Sequence, residues 1–240
     1  LPATFDKAPV YIFNLEELKY IKKENNNLHI GACTPLSDIL VHPDTPSLLK
    51  DSISIIASPA LRNLATLPGN IMNASPAGDT LPILYVLDAA VVVRSKSGSY
   101  IVSVDEVITG PRKTTLAENE IITEVIIPLE MFTSSQFIKV GGRKADAISK
   151  ISFTSAISIK DKTVTDLRLA FGAVGPVVVR HKEIESKYIN MTVTEFKDKQ
   201  LELIEEYSEY IRPIDDQRSN KEYRKQVALN LLKDFLKHIK

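Results

Sequence analysis

The stretch from Leu61 to Pro82, LRNLATLPGNIMNASPAGDTLP, constrains this chain more than any other part of it. Arg62 and Asp79 are its only charged residues, and Gly, Pro, Asn, Ser and Thr fill much of the rest. Such residues make turns and backbone hydrogen bonds and do not build a packed apolar face. The flanking segments are apolar enough to be buried, so the sequence predicts a long loop held against a core. An ordered loop of that length is uncommon unless it binds something. Leu64, Leu67, Ile71, Met72 and Leu81 interrupt the polar residues and argue against disorder. Gly69 and Gly78 let backbone N–H groups come close to a ligand, which suits phosphate oxygens or the edge of a heteroaromatic ring.

The remaining composition narrows the function by exclusion. Lys plus Arg and Asp plus Glu balance at 30 each, so nothing electrostatic favours nucleic acid or an anionic membrane as partner. With 240 residues, 44% of them hydrophobic, the chain can bury one large or two modest cores. No apolar run reaches membrane-spanning length and nothing at the start resembles a signal peptide, so the expected location is cytoplasmic. Leu1, in place of an initiator methionine, fits a fragment or a processed product. The single Cys33 excludes an internal disulfide and a Cys-ligated iron–sulfur cluster within these residues. His29, His42, His181 and His238 are scattered without ligand spacing and predict no metal site. There is no P-loop, no G-x-G-x-x-G and no Ser-His-Asp or Cys-His grouping.

Patterning predicts an α+β architecture in two domains, residues 1–130 and 131–240. Asn14 with Glu17 reads as a cap opening a helix to about Lys23, followed by an Asn25–Asn27 turn and a strand from Leu28. Thr34-Pro35 and Thr45-Pro46 each read as N-cap and first helical residue. Leu84 to Arg94 is a near-continuous apolar run that turns at Lys96 and returns through Tyr100, a hairpin. Strands are expected over 121–128, 136–140, 151–159 and 164–171. Three helices follow, two with capping boxes at Thr192/Glu195 and Ser219/Glu222. The last carries Val227, Leu231, Leu232, Phe235 and Leu236 at helical spacing and must pack on something.

Four segments carry a resemblance that spans most of the chain. Leu61, Arg62, Asn63, Ala65, Thr66, Gly69, Asn70, Ile71, Ala74, Ser75, Pro76, Asp79 and Pro82 fit the pattern (I/L)-R-N-x-A-T-(I/V)-G-G-N-I-x-x-A-S-P-x-x-D-x-x-P. Arg112-Lys-Thr with Glu120 to Pro128 matches a second signature. Phe137-Ile-Lys139…Arg143…Ala147-Ile-Ser149 and Asp216-Gln-Arg218-Ser219…Tyr223-Arg224 match a third and a fourth. The chain thus resembles the FAD-binding flavoprotein subunit of the molybdenum hydroxylases, the xanthine and carbon monoxide dehydrogenase type.

That resemblance implies a fold, a cofactor and partners. The fold is a truncated FAD-binding domain of the molybdopterin dehydrogenase type, then a C-terminal domain of antiparallel sheet plus helices. Ala65, Thr66, Gly69, Asn70, Asn73 and Asp79 would contact FAD, Ile122 would pack on its adenine or ring, and Lys139 would lie beside the flavin as a cation. Asp146 matches an acid that some members hold near the flavin, while Arg62 and Arg143 read as structural ion-pair formers. Two [2Fe-2S] clusters and the molybdenum cofactor would sit on an iron–sulfur subunit and a molybdopterin-binding large subunit, and the latter would choose the substrate. Electrons would pass through FAD to NAD or another acceptor, with no catalytic side chain here. A homo-oligomer is compatible with this arrangement.

The chain departs from the pattern twice. Pro68 replaces a glycine, and proline has no N–H to offer a cofactor. The family's glycine-rich pyrophosphate loop finds no match here, so about the first fifth of the flavin domain is expected to be missing and flavin binding weakened. The competing reading is a shortened scaffold subunit without flavin that mediates assembly. For the individual residues the alternatives are plain: Asn70 and Asn73 as turn stabilisers, Asp79 as a helix cap, Lys139 as a solvated strand lysine and Ile122 as core.

Overall fold

The computed structural model describes residues 10–143 and 146–239. After a single 3-10 turn at Glu16–Leu18, β1 (Ile21–Glu24) and β2 (Asn27–Gly31) form a hairpin. The helix expected up to Lys23 is therefore only the 3-10 turn, and its last residues are strand. Asn25 and Asn26 both take positive φ, 47° and 61°, the two-residue turn that favours a hairpin, and pairing with the half-buried β2 overrides the weak capping signal at Asn14.

Five short helices separate β2 from the next strand: α1 (Leu36–Val41), α2 (Ser47–Ile55), α3 (Pro59–Arg62), α4 (Leu67–Asn73) and α5 (Thr80–Val86). Pro35 and Pro46 themselves occupy the N-cap positions of α1 and α2, one residue later than expected. The side chain of Thr34 instead brackets Tyr20, accepting its N–H at 3.1 Å and donating to its carbonyl at 3.0 Å. The stretch predicted as a loop is thus largely helical. Its helices have four to seven residues, too few to print a periodic pattern.

The apolar run from Leu84 also divides. All seven residues of α5 are buried, so the helix shows no polar face and reads like a buried strand. Asp88, with φ 49°, breaks the run, and β3 (Ala90–Ser95) then pairs with β4 (Gly98–Ser103) as the expected hairpin. A short helix α6 (Val104–Val107) and a small ladder of β5 (Ile108–Gly110) with β6 (Lys113–Thr114) lead to β7 (Ile121–Pro128). The first sheet is antiparallel in the order β1-β2-β7-β3-β4. Leu28, Ile30, Val91, Val93, Val125 and Ile127 are fully buried and form a core with Leu36, Ile39, Leu49 and Ile53 of the helices.

The second sheet holds β8 (Ser134–Val140), β9 (Ile151–Lys160) and β10 (Thr163–Gly172), antiparallel in the order β10-β9-β8. The β9–β10 turn uses Asp161 and Lys162 at positive φ. Four helices follow where three were expected, because the stretch from Phe196 to Ile204 divides at Lys199: α7 (Lys182–Ser186), α8 (Val193–Asp198), α9 (Gln200–Tyr210) and α10 (Lys221–Lys237). One sheet face packs Phe153 and Phe171 against Tyr207, Phe235 and Leu232; the first two rings lie 4.7 Å apart. The other face, through Ala156 and Ala170, joins the first core at α5. Gly172 allows that approach, because a Cβ there would stand 2.3 Å from Ser152 Oγ and 3.0 Å from Pro82 Cγ. Strands β9 and β10 are buried on both faces for this reason.

Thr192 and Glu195 form the expected capping box on α8. The cap of α10 is Asn220, not Ser219: its side chain accepts the Tyr223 N–H at 2.8 Å. No helix among the described residues is long and apolar enough to cross a membrane.

Candidate functional site

A cleft of about 330 Å³ opens where the end of β2, the start of α4 and the start of β7 meet. Its floor is apolar and closely built. Ala32 follows β2 and donates its N–H to the Thr123 carbonyl of β7 at 3.0 Å, so the two elements hold each other. Ala32, Cys33 and Ile122 are nearly closed to solvent. Cys33 donates its thiol to the Ile12 carbonyl at 3.3 Å, which ties the chain at Ile12 and Phe13 over the same cleft. Burial raises the thiol pKa, which keeps Cys33 neutral and a small apolar surface.

The polar side of the cleft comes from α4. Thr66 is its N-cap, with Oγ1 accepting the Gly69 N–H at 3.1 Å. Pro68 lies in the first turn, where a missing N–H costs the helix nothing. Asn70 donates from its side chain to the Thr66 carbonyl at 3.3 Å and is half-buried. Gly69 is exposed and lines the cleft, and a Cβ there would stand 3.1 Å from the Thr66 hydroxyl. Ala65 packs on the core, and its carbonyl accepts the Leu36 N–H at 2.8 Å. Asn73 ends α4 as an exposed residue, before Ala74 turns the chain at φ 42°.

Asp79 and Lys139 lie elsewhere, and they meet each other. Asp79 precedes α5 but makes no capping bond; its carboxylate takes Lys139 Nζ at 2.7 Å and the Ser149 hydroxyl. Both side chains are nine-tenths buried. Lys139 Nζ also reaches the Ile55 carbonyl at 3.4 Å and borders a second groove lined by Ile55, Gly141, Arg143 and Ala147. Lys139 is therefore neither a solvated strand lysine nor, in this geometry, an unpaired cation.

The predicted residues thus fall into two groups. Thr66, Gly69 and Ile122 line the cleft with Ala65, Asn70 and Asn73 close behind or beside it in sequence, while Asp79 and Lys139 form a buried pair joining α5 to β8. Arg62 is no ion-pair former: it donates to the Ile56 and Ala57 carbonyls at 2.8 and 3.0 Å, closing the end of α2. Arg143 does pair with Asp146, at 3.9 Å, and also donates to its carbonyl. Sequence reasoning passed over Ala32, Met72 and Ser149. The small residues at the end of β2, Gly31-Ala32-Cys33, were the available signal, because a Cβ on Gly31 would stand 2.3 Å from the Leu18 carbonyl oxygen. Among the described residues, no three His, Cys, Asp or Glu side chains converge as metal ligands.

The cleft presents an apolar lining of Ile122, Ala32 and Met72, with Thr66 and Gly69 as its polar edge, the mix of apolar walls and few polar groups that small-molecule sites share. Its volume does not take a whole FAD, and the remainder would have to run out over the surface.

Known proteins give this geometry a family. Residues 4–130 match the FAD binding domain in molybdopterin dehydrogenase, and residues 136–239 match the CO dehydrogenase flavoprotein C-terminal domain. The chain is 30% identical over 239 residues to the glyceraldehyde dehydrogenase medium chain of Sulfolobus acidocaldarius, covering 97% of this chain and 84% of that one. It is 34% identical over 191 residues to the nicotinate dehydrogenase FAD-subunit of Eubacterium barkeri, covering 76% and 64%. In fold it is similar to the carbon monoxide dehydrogenase of Hydrogenophaga pseudoflava, with a TM-score of 0.83 at 23% identity over 91% of this chain and 77% of that one. With two matched domain models in sequence and relatives that are oxidoreductase subunits, the chain belongs to the FAD-binding medium subunits of the molybdenum hydroxylase family.

Proposed function

We propose that this chain binds FAD and carries electrons from iron–sulfur clusters on a partner subunit to NAD or another acceptor. The observation that supports this reading is the apolar cleft between Ile122 and the start of α4, edged by the Thr66 hydroxyl and a glycine. Bound FAD supplies the exchange of electrons between one-electron clusters and a two-electron acceptor. The chain itself supplies position and electrostatics. Ala65, Thr66, Gly69, Asn70 and Asn73 would hold the cofactor on one side, and Ile122 would pack against its ring system. Asp79 and Lys139 enter as a neutral unit, because the Lys139 charge is met by Asp79 at 2.7 Å. Lys139 acts as a free cation on a reduced flavin only where Asp79 turns to another donor. The clusters and the molybdenum cofactor belong, in this reading, to an iron–sulfur subunit and a molybdopterin-binding large subunit.

A fluorescence titration of added FAD tests the site. Gly69→Val crowds the Thr66 hydroxyl at the cleft edge and Asn70→Ala loosens the turn that shapes it. Each should weaken FAD binding about tenfold or more, as expected for a blocked contact or a lost hydrogen bond to a bound polar group. Their melting temperatures should stay near that of the wild type. Equal quenching by wild type and Gly69→Val would place the flavin elsewhere. No binding by any form of a chain that includes the pyrophosphate loop would leave the scaffold reading.

A further inference from the structure

A second cavity, of about 370 Å³, lies between the two halves of the molecule and takes no part in the flavin cleft. Its walls are apolar: Pro76, Ala77 and Pro111 from the first half, Pro176 and Ile214 from the second. Its charge is concentrated in three arginines, Arg212, Arg218 and Arg224, against the single carboxylate Asp216. Three guanidinium groups less one carboxylate leave two positive charges in excess on this lining.

The carboxylate is already fully engaged within the protein. Asp216 accepts the backbone N–H of Arg218 at 2.8 Å and of Ser219 at 3.2 Å, Arg218 Nη1 at 3.0 Å and Arg224 Nη2 at 2.5 Å. The arginines are not. Arg224 is buried, and its Nε finds no hydrogen-bond partner. Arg212 is exposed at the rim and uses Nε on the Glu209 carbonyl, 2.7 Å away, which leaves its terminal nitrogens for another acceptor. Arg218 has one terminal nitrogen on Asp216 and lies exposed between this cavity and its neighbour at Ile148 and Lys150. Unspent guanidinium donors above proline and isoleucine walls are the chemistry of a planar anion with an apolar body.

From this we infer that the cavity is a binding site for a small monocarboxylic acid, its carboxylate on Arg212 and Arg218 and its hydrocarbon part against Pro76, Pro176 and Ile214. A guanidinium fork takes two oxygens of a carboxylate or of a phosphate equally well, but the third and fourth oxygens of phosphate would face the apolar walls, which favours the carboxylate. The occupant would touch the segment 75–77, the Pro111 turn and the Arg212–Arg218 turn together, so binding should stabilise the whole chain.

Calorimetric titration and thermal melting of the full chain with benzoate, benzamide and inorganic phosphate test the site. Benzoate should bind and raise the melting temperature with concentration, and benzamide, which has the same shape without the charge, should bind at least tenfold more weakly. Arg212→Gln and Arg218→Gln, both at exposed positions, should each weaken benzoate binding about tenfold while leaving the melting temperature of the free chain in place. FAD binding is unaffected by either outcome, because the flavin cleft shares no lining residue with this cavity. Benzoate binding that benzamide equals, or that both variants leave unchanged, overturns the assignment, as does phosphate binding as tight as benzoate.

Discussion

At the scale of single residues, the buried pair Asp79–Lys139 separates structural from ligand-binding roles. Two nine-tenths buried charges at 2.7 Å are tolerable only together. Asp79→Ala should therefore cost about 3–5 kcal/mol in urea unfolding, because Lys139 is left charged and unpaired. The double change Asp79→Asn with Lys139→Met should cost clearly less than Asp79→Ala alone. A single-variant loss below about 1 kcal/mol would mean that water already reaches the pair. This is why Gly69 and Asn70, and not Asp79, are the clean probes of flavin binding. Asp216 makes a pH prediction. Burial would raise its pKa, but the N–H bonds of Arg218 and Ser219 and the Arg224 guanidinium outweigh burial and lower it to about 2. Its folded value lies below its unfolded one, so the stability it contributes is present above about pH 4 and lost as pH falls toward 2. Acid titration of the unfolding transition should show a shallower loss across that window in Asp216→Asn than in wild type; parallel curves would contradict the assignment.

Among secondary-structure elements, local chemistry decided some boundaries and packing decided others. The Thr192/Glu195 box was legible because both halves of the capping bond are side chains three residues apart, and both form: Thr192 Oγ1 takes the Glu195 N–H at 3.2 Å, and Glu195 Oε2 takes the Thr192 N–H at 2.8 Å. Thr192→Ala should cost about 1 kcal/mol, measured by chemical denaturation, with no change in flavin binding. The strands β9 and β10 were legible as well, since a β-branched and aromatic run divided by a Lys-Asp-Lys-Thr turn has few other readings. Helix α5 was not. Its residues are buried on every side, between α2 and the second sheet, and a uniformly apolar segment carries no period to distinguish helix from strand. Strand β1 failed for the opposite reason, because it is polar and held mainly by its neighbour β2, which was legible together with the Asn turn between them.

Taken as a whole molecule, the two halves are fastened by more than the link at 129–133. Arg168 on β10 pairs with Asp88 at 3.0 Å, pairs with Glu130 and donates to the Val86 carbonyl at 2.9 Å. Arg180 adds Asp88 at 2.9 Å and the Tyr85 carbonyl, and Glu185 of its own half holds it in place at 3.1 Å. Limited proteolysis should cut first beside Met131, which is 94% exposed. The two fragments should nevertheless elute together on gel filtration, because α5 and the Asp88 cluster still bridge them. Separation of the fragments in native buffer would show that the interface is weaker than this packing implies. Gly172→Val should loosen the same interface, with a cost of about 1–3 kcal/mol from the overpacked contact with Pro82 and Ser152.

The sequence by itself determined the α+β class, the second sheet and its helices, and the family, because these rest on local periodicity and on contiguous motifs such as Leu61 to Pro82. It also placed Thr66, Gly69 and Asn70 in one contiguous motif, but that they share one helical turn was decided by the structure. Only the tertiary structure decided that Asp79 turns away from that turn to Lys139 and Ser149, residues 60 and 70 positions away in the chain. It likewise decided that Ile122 forms the cleft floor with Ala32 and Cys33, and that three arginines meet prolines from the other half. Contacts of that range depend on how the two sheets stack around α5, and a one-dimensional pattern holds no record of which distant side chain completes a buried charge.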